Sequence, residues 1–300
     1  MFKFFKRKVW QIIHAIFRIR IFEKLLLPLV KGKYSHTYIA AFIPPHTSYR
    51  NPTYRIAKKG TLRLHANLYD YNDWKAFWGL KEKERENLYW LATNAKTVID
   101  IGTNNGWVLM NLATIVAKNN GFVYGFEPHP DTFKRCMRNI QLSKLANCKV
   151  FNMGCGESDS ELLMTEVIES NSGQNRMIND VSKLQSSQYH NVNVKVTSLD
   201  KQLANAEKID LIKIDVEGFE LHVLKGANNL LRKHSPVIFI EINDPLLQLN
   251  NTSGEEVIDF LKSKYNYVVT NASTKQVIKK TSVLKNRQID VICTPKSVTF

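Results

Sequence analysis

The 300-residue sequence is short of several features that would assign it to a class at once. Its four cysteines, Cys136, Cys148, Cys155 and Cys293, show no Cys-x-x-Cys or metal-finger spacing, which suits free thiols in a reducing compartment. No apolar run reaches the roughly 18 residues of a membrane-crossing helix. No internal repeat is visible. Acids are nearly missing from residues 1–33, where Glu23 stands alone against nine Lys/Arg, a local charge of +8 (9 − 1) out of a total of +15. The remainder is only mildly basic and has no aromatic-plus-basic stripe for stacking bases, so no specific nucleic-acid partner is expected. What is present is enough for a fold. A hydrophobic content of 44% can bury a full core, and the length fits one large domain with additions.

One further absence is informative. The apolar run Thr97–Ile101 carries Asp100 near its end and leads through Gly102 and Gly106 into Trp107-Val108-Leu109-Met110. A second run, Phe122–Phe126, ends in Glu127. Strand, glycine turn, helix and a strand ending in an acid make half of a nucleotide-binding unit. A dinucleotide fingerprint needs Gly-x-Gly-x-x-Gly for close approach to a pyrophosphate, and Asn104 stands where its middle glycine would be. The wider Gly102–Gly106 turn suits a ligand without phosphates, S-adenosylmethionine. Glycines and helix-start amides would approach its methionine part, and Glu127 would accept both ribose hydroxyls. The plain alternative is a strand–helix connection with no ligand.

Along the chain, residues 1–30 read as one helix of about 25 residues, with Val9, Ile12, Ile13, Ile16 and Phe17 at helical spacing and Pro28 marking its end. Charges interrupt its apolar region and no small-residue cleavage site follows, so it is not a secretory signal. Two readings stay open: a basic amphipathic helix on an anionic membrane surface, or a helix packed on the domain or on a partner subunit. Residues 31–60 are turn-rich. Tyr54–Ala57 and Leu62–His65 flank a turn as a hairpin, and Tyr69, Tyr71, Trp74, Phe77 and Trp78 follow as an aromatic cluster, either packing or a lid for sugar rings. A helix over 81–92 leads into the first strand.

From residue 96 strands and helices alternate: helix Gly106–Ala117, helix Asp131–Leu142, strand Lys149–Asn152, strand Val192–Val196, strand Ile209–Ile214, helix Phe219–Leu231 and strand Val237–Ile242. Residues 157–190 are polar and read as the least regular part. A helix Gly254–Lys264 and strands Tyr267–Thr270 and Asp290–Cys293 close the pattern, the last two as an antiparallel hairpin at one edge. The expected fold is α/β and Rossmann-like: a mostly parallel seven-stranded sheet with helices on both faces and an antiparallel edge strand. The expected division is an arm over 1–33, a connector, hairpin and aromatic extension over 34–92, and the main domain over 93–296.

Three strand ends carry acids: Glu127, the run Lys213-Ile214-Asp215-Val216-Glu217-Gly218, and Ile240-Glu241-Ile242-Asn243-Asp244. Parallel neighbours present such ends on one rim, which places Asp215, Glu217 and Glu241 beside the glycine turn. Gathered carboxylates are costly unless they meet partners or do chemistry, although helix capping would also explain Asp215 or Glu217.

At these residues the chain resembles the FkbM-family methyltransferases. Val98–Gly106 is similar to the family's glycine turn, Val123-Tyr124-Gly125-Phe126-Glu127-Pro128 to its VYAFEP, Asn152–Gly156 to its Asn-x-Ala-x-Gly, and Thr197-Ser198-Leu199-Asp200 to its Thr-x-Leu-Asp. The most specific match is Ile209–Glu220, followed by Val223–Ala227 and Pro236 to Glu241. Thr103 and Gly154 replace usual alanines, and Phe219 stands where a small residue is common. The resemblance implies the class I methyltransferase fold, S-adenosylmethionine as cofactor bound around Asp100, Gly102, Asn104, Gly106, Glu127, Gly154 and Asp215, and methyl transfer to a sugar hydroxyl of a glycan, glycolipid or glycosylated metabolite. Asp215 would be the base, with Glu217 and Glu241 as second-choice bases or hydroxyl binders. Lys213 reads as a structural ion-pair partner, His222 as helix surface and His190 as no zinc ligand. A divalent site at Asp215, Asn243 and Asp244 would suit Mg²⁺ but is not favoured. Alternatives are a lipid, polyketide or RNA acceptor, or a membrane-recruited cofactor-binding protein without activity. The expected location is cytoplasmic with peripheral contact on the inner membrane face through residues 1–30; the oligomeric state stays open.

Overall fold

Seven strands build the central sheet of the computed structural model: β1 (Thr97–Ile101), β2 (Phe122–Phe126), β3 (Cys148–Phe151), β4 (Leu211–Ile214), β5 (Val237–Asn243), β6 (Tyr267–Asn271) and β7 (Gln288–Pro295). The structure describes residues 2–167, 176–177 and 189–296. The sheet order is β6-β7-β5-β4-β1-β2-β3, and only β7 runs antiparallel to its neighbours. The expected β6–β7 hairpin does occupy one edge; within it β7 lies inside, between β5 and β6, and β6 is outermost. The chain order reverses between β1 and β4, the point at whose carboxyl ends a sheet of this kind takes its ligands.

The reason these segments form this sheet lies in their uninterrupted apolar character. β4 is buried at all four positions and β1 at four of five, as strands covered on both faces require. Ile99, Ile101, Ile212, Ile214, Ile238, Ile240 and Ile242 meet in one core with Leu221, Val223, Leu224 and Leu261 from the covering helices. Branched aliphatic side chains on adjacent parallel strands interdigitate in this way at little entropic cost.

Two expectations for this half change. The helix expected over Phe219–Leu231 is two helices, Glu220–Lys225 and Asn228–His234. The break falls at Gly226, where a Cβ would lie 1.8 Å from the carbonyl oxygen of Gly156. After the break the second helix needs a new cap, and Asp200 supplies it by accepting Asn229 N and Leu230 N, each at 2.8 Å. The Thr-x-Leu-Asp segment is therefore explained by capping. The second change concerns residues 157–190. Ser160–Val167 and Tyr189–Thr197 form a continuous antiparallel pair, joined by Gly154–Cys155 and Arg176–Met177 in a small second sheet. Its inner face is thin: Met164, Met177, Val194 and Val196 close on Phe219. Residues 168–175 and 178–188 of this stretch lie outside the described residues.

The chain divides into two compact units, one up to residue 82 and one from residue 83, so helix Lys83–Leu91 belongs with the central sheet. In the first unit the single helix expected over 1–30 is two, Phe2–Phe17 and Arg20–Val30. The break is at Arg18-Ile19, where the Arg18 guanidinium turns to the Ser48 carbonyl. Pro28 does not end the second helix; it sits within the last turn, where Lys31 N still reaches Leu27 O at 3.0 Å. Glu23 is buried and paired with Arg55 at 2.7 Å. The hairpin is Tyr54–Lys59 with Leu62–Asn67, and helix Tyr71–Trp78 follows. Phe77 and Trp78 are core residues, Trp74 Nε1 donates to Pro44 O at 2.8 Å, and Tyr71 stacks on Trp74, so packing accounts for most of the aromatic cluster.

Loss of the Asp200 cap should be visible in bulk stability. Asp200→Ala is expected to lower the unfolding free energy by about 1–2 kcal/mol in urea denaturation. An unchanged midpoint would show that the second helix is held by packing alone.

Candidate active site

The turn after β1 depends on three left-handed positions: Gly102 (φ +76°), Asn104 (φ +52°) and Gly106 (φ +86°). At Gly102 the constraint is absolute, because a Cβ there would lie 1.8 Å from the carbonyl oxygen of Asp215. Only glycine lets the ends of β1 and β4 come this close. At Gly106, which opens helix Trp107–Val116, a Cβ would sit 2.8 Å from Cys136 Sγ. Backbone and hydroxyl groups stitch the turn to β2. Gly102 N and Thr103 N both donate to Phe126 O, at 3.0 and 3.1 Å. Thr103 Oγ1 donates to Asp100 O at 2.9 Å and accepts from Phe126 N at 3.1 Å. An alanine at 103 could do neither, so this departure from the family pattern tightens the turn.

Glu127 is buried at the end of β2, and its two oxygens accept backbone amides: Asn104 N at 2.8 Å and His129 N at 3.0 Å. Burial pushes its carboxyl up to about 7, against the pull of those two amides. Each oxygen keeps a further lone pair for a ligand hydroxyl. Glu127 therefore ties the β2 end to the turn, a role its spacing in the sequence did not disclose.

Beneath the turn lies Lys213, itself buried and directly across from Asp100 in the β1–β4 register. Its Nζ donates to Gly102 O at 2.9 Å and Ile101 O at 3.2 Å, and stands 3.2 Å from Asp100 Oδ1 and 3.4 Å from Asp215 Oδ2. Burial alone would lower the ammonium's pKa, but Asp100 and Asp215 outweigh it and hold the pKa above its ordinary value. Asp100 moves the other way for a carboxylate: burial raises it by more than the Lys213 charge lowers it. Asp100 has no exposed surface to offer a ligand directly; its contact is with Lys213, which holds the turn.

The three expected strand-end acids do converge. Asp215, Glu217 and Glu241 each place a carboxylate oxygen within 4.8 Å of the others, all half-buried. The Asp215 carboxylate remains 42% exposed. Glu217 is held in the left-handed region (φ +54°), next to Gly218, whose Cβ would strike Leu246 O at 2.5 Å. Burial, then the charges of Asp215, Glu241 and Glu220, raise Glu217 well above the carboxylate range. Burial, then Asp215 and Asp290, raise Glu241, with the Gln288 amide at 2.9 Å pulling back. Such a trio can share protons, bind hydroxyls or ligate a cation through oxygen.

Neighbouring residues turn out to be structural. Glu220 accepts Gly218 N at 3.0 Å and closes the acidic turn; its burial raises it to about 7. Asp244, weighed with Asp215 and Asn243 for Mg²⁺, instead commits its oxygens to Gly254 N, Asn286 N and Gln248 Nε2 at 2.7–2.8 Å. Gly154 lies in the second sheet, where a Cβ would come 2.9 Å from Met177 Sδ, so packing explains its glycine. Phe219 fills the seam under that sheet. His222 stacks on Phe219 and pairs with Glu157 at 2.9 Å.

The sequence matches the methyltransferase FkbM domain over residues 100–269, more than half of the chain. The chain belongs to the FkbM methyltransferase family. The matched FkbM stretch holds the turn, Glu127, Lys213 and all three clustered acids. Two curated proteins are similar at 26% identity. Methyltransferase 1 of Beauveria bassiana aligns over 148 residues, 44% of this chain and 58% of that protein. Hexuronic acid methyltransferase AglP of Haloferax volcanii aligns over 166 residues, 55% of this chain and 59% of that protein. The chain thus spans under two thirds of the length of the curated relatives it matches. A solved FkbM methyltransferase from Methylobacillus flagellatus, 16% identical, superposes loosely at a TM-score of 0.42 over 66% of this chain and 43% of that one.

Five acids of this FkbM domain hold protons more tightly folded than unfolded: Glu127 and Glu220 up to about 7 from an ordinary 4.5, and Asp100, Glu217 and Glu241 in the same direction. Folding then takes up protons once the pH passes the ordinary value, and stability falls as pH rises. The melting temperature is expected to decline from about pH 5 to about pH 8, and Glu217→Gln to flatten part of that decline. A melting temperature that rises over this range would contradict the assignment.

Proposed function

We propose that the FkbM domain is an S-adenosylmethionine-dependent O-methyltransferase acting on a sugar hydroxyl of a glycan, glycolipid or glycosylated metabolite. The observation that carries this reading is the contact of Gly102 with the Asp215 backbone, which sets the glycine turn and the acid cluster side by side on one rim. The residues present suit the donor. Gly102 and Asn104 are half-exposed, and Glu127 has acceptor capacity to spare. Gly102, Asn104 and Glu127 would hold S-adenosylmethionine, which supplies a methyl group already activated by its sulfonium charge.

With the methyl activated, what is left to the protein is to align the acceptor oxygen and take its proton. Asp215 suits the role of proton acceptor, being partly exposed and 3.4 Å from the Lys213 ammonium. Glu217 and Glu241, raised as they are, hold protons near neutrality and suit donation of hydrogen bonds to acceptor hydroxyls. A sugar acceptor also accords with the substrate for which one relative is named, the hexuronic acid methyltransferase of Haloferax volcanii.

S-adenosylmethionine at 100-fold over its dissociation constant should stabilise the protein by about 2.7 kcal/mol, read as a rise in melting temperature. Glu127→Ala should abolish that rise; a shift absent from the wild type would remove the cofactor. Asp215→Asn should keep the shift while slowing methyl uptake by glycans, followed with labelled cofactor and mass spectrometry, by at least about 100-fold. Unchanged turnover would remove Asp215 as the base.

A further inference from the structure

The first unit carries a surface that the methyl-transfer reading does not use. Helices Phe2–Phe17 and Arg20–Val30 have an inner side that is accounted for. Trp10 and Phe17 meet Phe42 edge-on, His14 Nε2 lies 3.0 Å from Ala41 O, and Leu26 and Val30 are core residues. The outer side is bare and aliphatic. Ile12, Ile19, Ile21, Leu25 and Leu29 are 54–64% exposed, with Ile21, Leu25 and Leu29 four residues apart along one stripe. Exposed large apolar side chains are ordinary when scattered, but a stripe of them marks a docking face.

Charge decides what docks there. Arg20, Lys24 and Lys33 are exposed on this segment, as are Arg18 and Lys31, whose side chains donate to Ser48 O and Lys58 O. The only acid among residues 1–33, Glu23, is turned inward and neutralised by Arg55 at 2.7 Å. The outward side of this segment is therefore cationic and aliphatic with no carboxylate among its described residues. A second copy of the chain would bring like charges together. A nucleic acid would satisfy the cations and leave the isoleucines and leucines in water. An anionic bilayer satisfies both, with phosphates for Lys/Arg and acyl chains for the aliphatic stripe. No helix among the described residues is long and apolar enough to cross a membrane, so this pair would lie in the interface.

We propose that residues 8–33 form a docking face for an anionic lipid bilayer, with the aliphatic stripe in the acyl boundary and the Lys/Arg at the headgroups. The proposal is independent of the acceptor and of the cofactor. The experiment is flotation of the full chain with vesicles of phosphatidylcholine alone and of phosphatidylcholine with phosphatidylglycerol, at low and high salt. Binding to the anionic vesicles is expected to exceed binding to the neutral ones by at least about tenfold, and to weaken with salt. The double variant Ile12→Glu/Leu25→Glu, both positions exposed and so free to change without loss of the core, should lose the binding while melting like the wild type. Ile12→Leu should retain it. Wild-type protein that stays with the aqueous phase, or a double variant that floats like the wild type, overturns the proposal. Self-association removed by the double variant, without vesicle binding, would reassign the face to contact between copies and overturn it equally.

Discussion

A single buried ammonium, Lys213 Nζ, stands where the two halves of the central sheet meet. An unpaired cation there would cost several kcal/mol of desolvation. It is instead surrounded by two carboxylates, Asp100 and Asp215, and two carbonyls, of Ile101 and Gly102, all within 3.4 Å. Four partners from β1, its turn and the β4 end offset the cost of burying the charge, and they are thereby fixed relative to one another. Gly102 can only take its place because it lacks a Cβ, and Asp215 leaves the sheet at the point that Gly102 abuts. The glycine turn, the acid that closes β4 and their placement side by side all follow from this junction.

The rest of the rim is built around it by the same pairing of polar groups. Glu127 holds the far side of the turn through Asn104 N, and Thr103 binds the turn to β2 through a hydroxyl that both donates and accepts. Glu217 and Glu241 stand beside Asp215, both raised by burial and by its charge, and Asp215 is the acid of the three paired with a cation. Two raised carboxyls beside one that faces the Lys213 ammonium give the cluster distinct capacities, which suits the proposed transfer to a hydroxyl. The first unit contributes something different, a cationic aliphatic face whose one acid is hidden by Arg55.

Much of this was legible from residue order. β1 and β2 match their expected bounds because a short apolar run between a turn and an acid has few other solutions. Convergence of Asp215, Glu217 and Glu241 followed from parallel topology, which aligns strand ends whatever the loops do. Less legible were features set by contacts distant in the chain. Gly226 breaks a helix because of Gly156, seventy residues earlier, and Asp200 caps the fragment that results. Asp244 carries the same side chain as Asp215, yet the loop amides of Gly254 and Asn286 occupy it. Ser160–Val167 was hidden by its composition: its apolar run, Leu162 to Met164, is short and set among polar residues, and the face it helps to bury is thin. Pro28 misled because the helix runs on past it for two residues, with Lys31 N still bonded to Leu27 O.

Everything at the site depends on the Lys213 charge, and not merely its packing, to hold the glycine turn against the β4 end. Titration calorimetry of S-adenosylmethionine into Lys213→Met, a variant of similar length without the ammonium, tests this directly. With the charge gone, Asp100 is left buried and uncompensated, and the Gly102 and Ile101 carbonyls lose their donor. Cofactor binding is then expected to weaken by at least about tenfold, with unfolding free energy reduced by about 3–5 kcal/mol near neutral pH and by less in acid, where Asp100 is protonated. Wild-type affinity and stability in Lys213→Met would contradict that dependence.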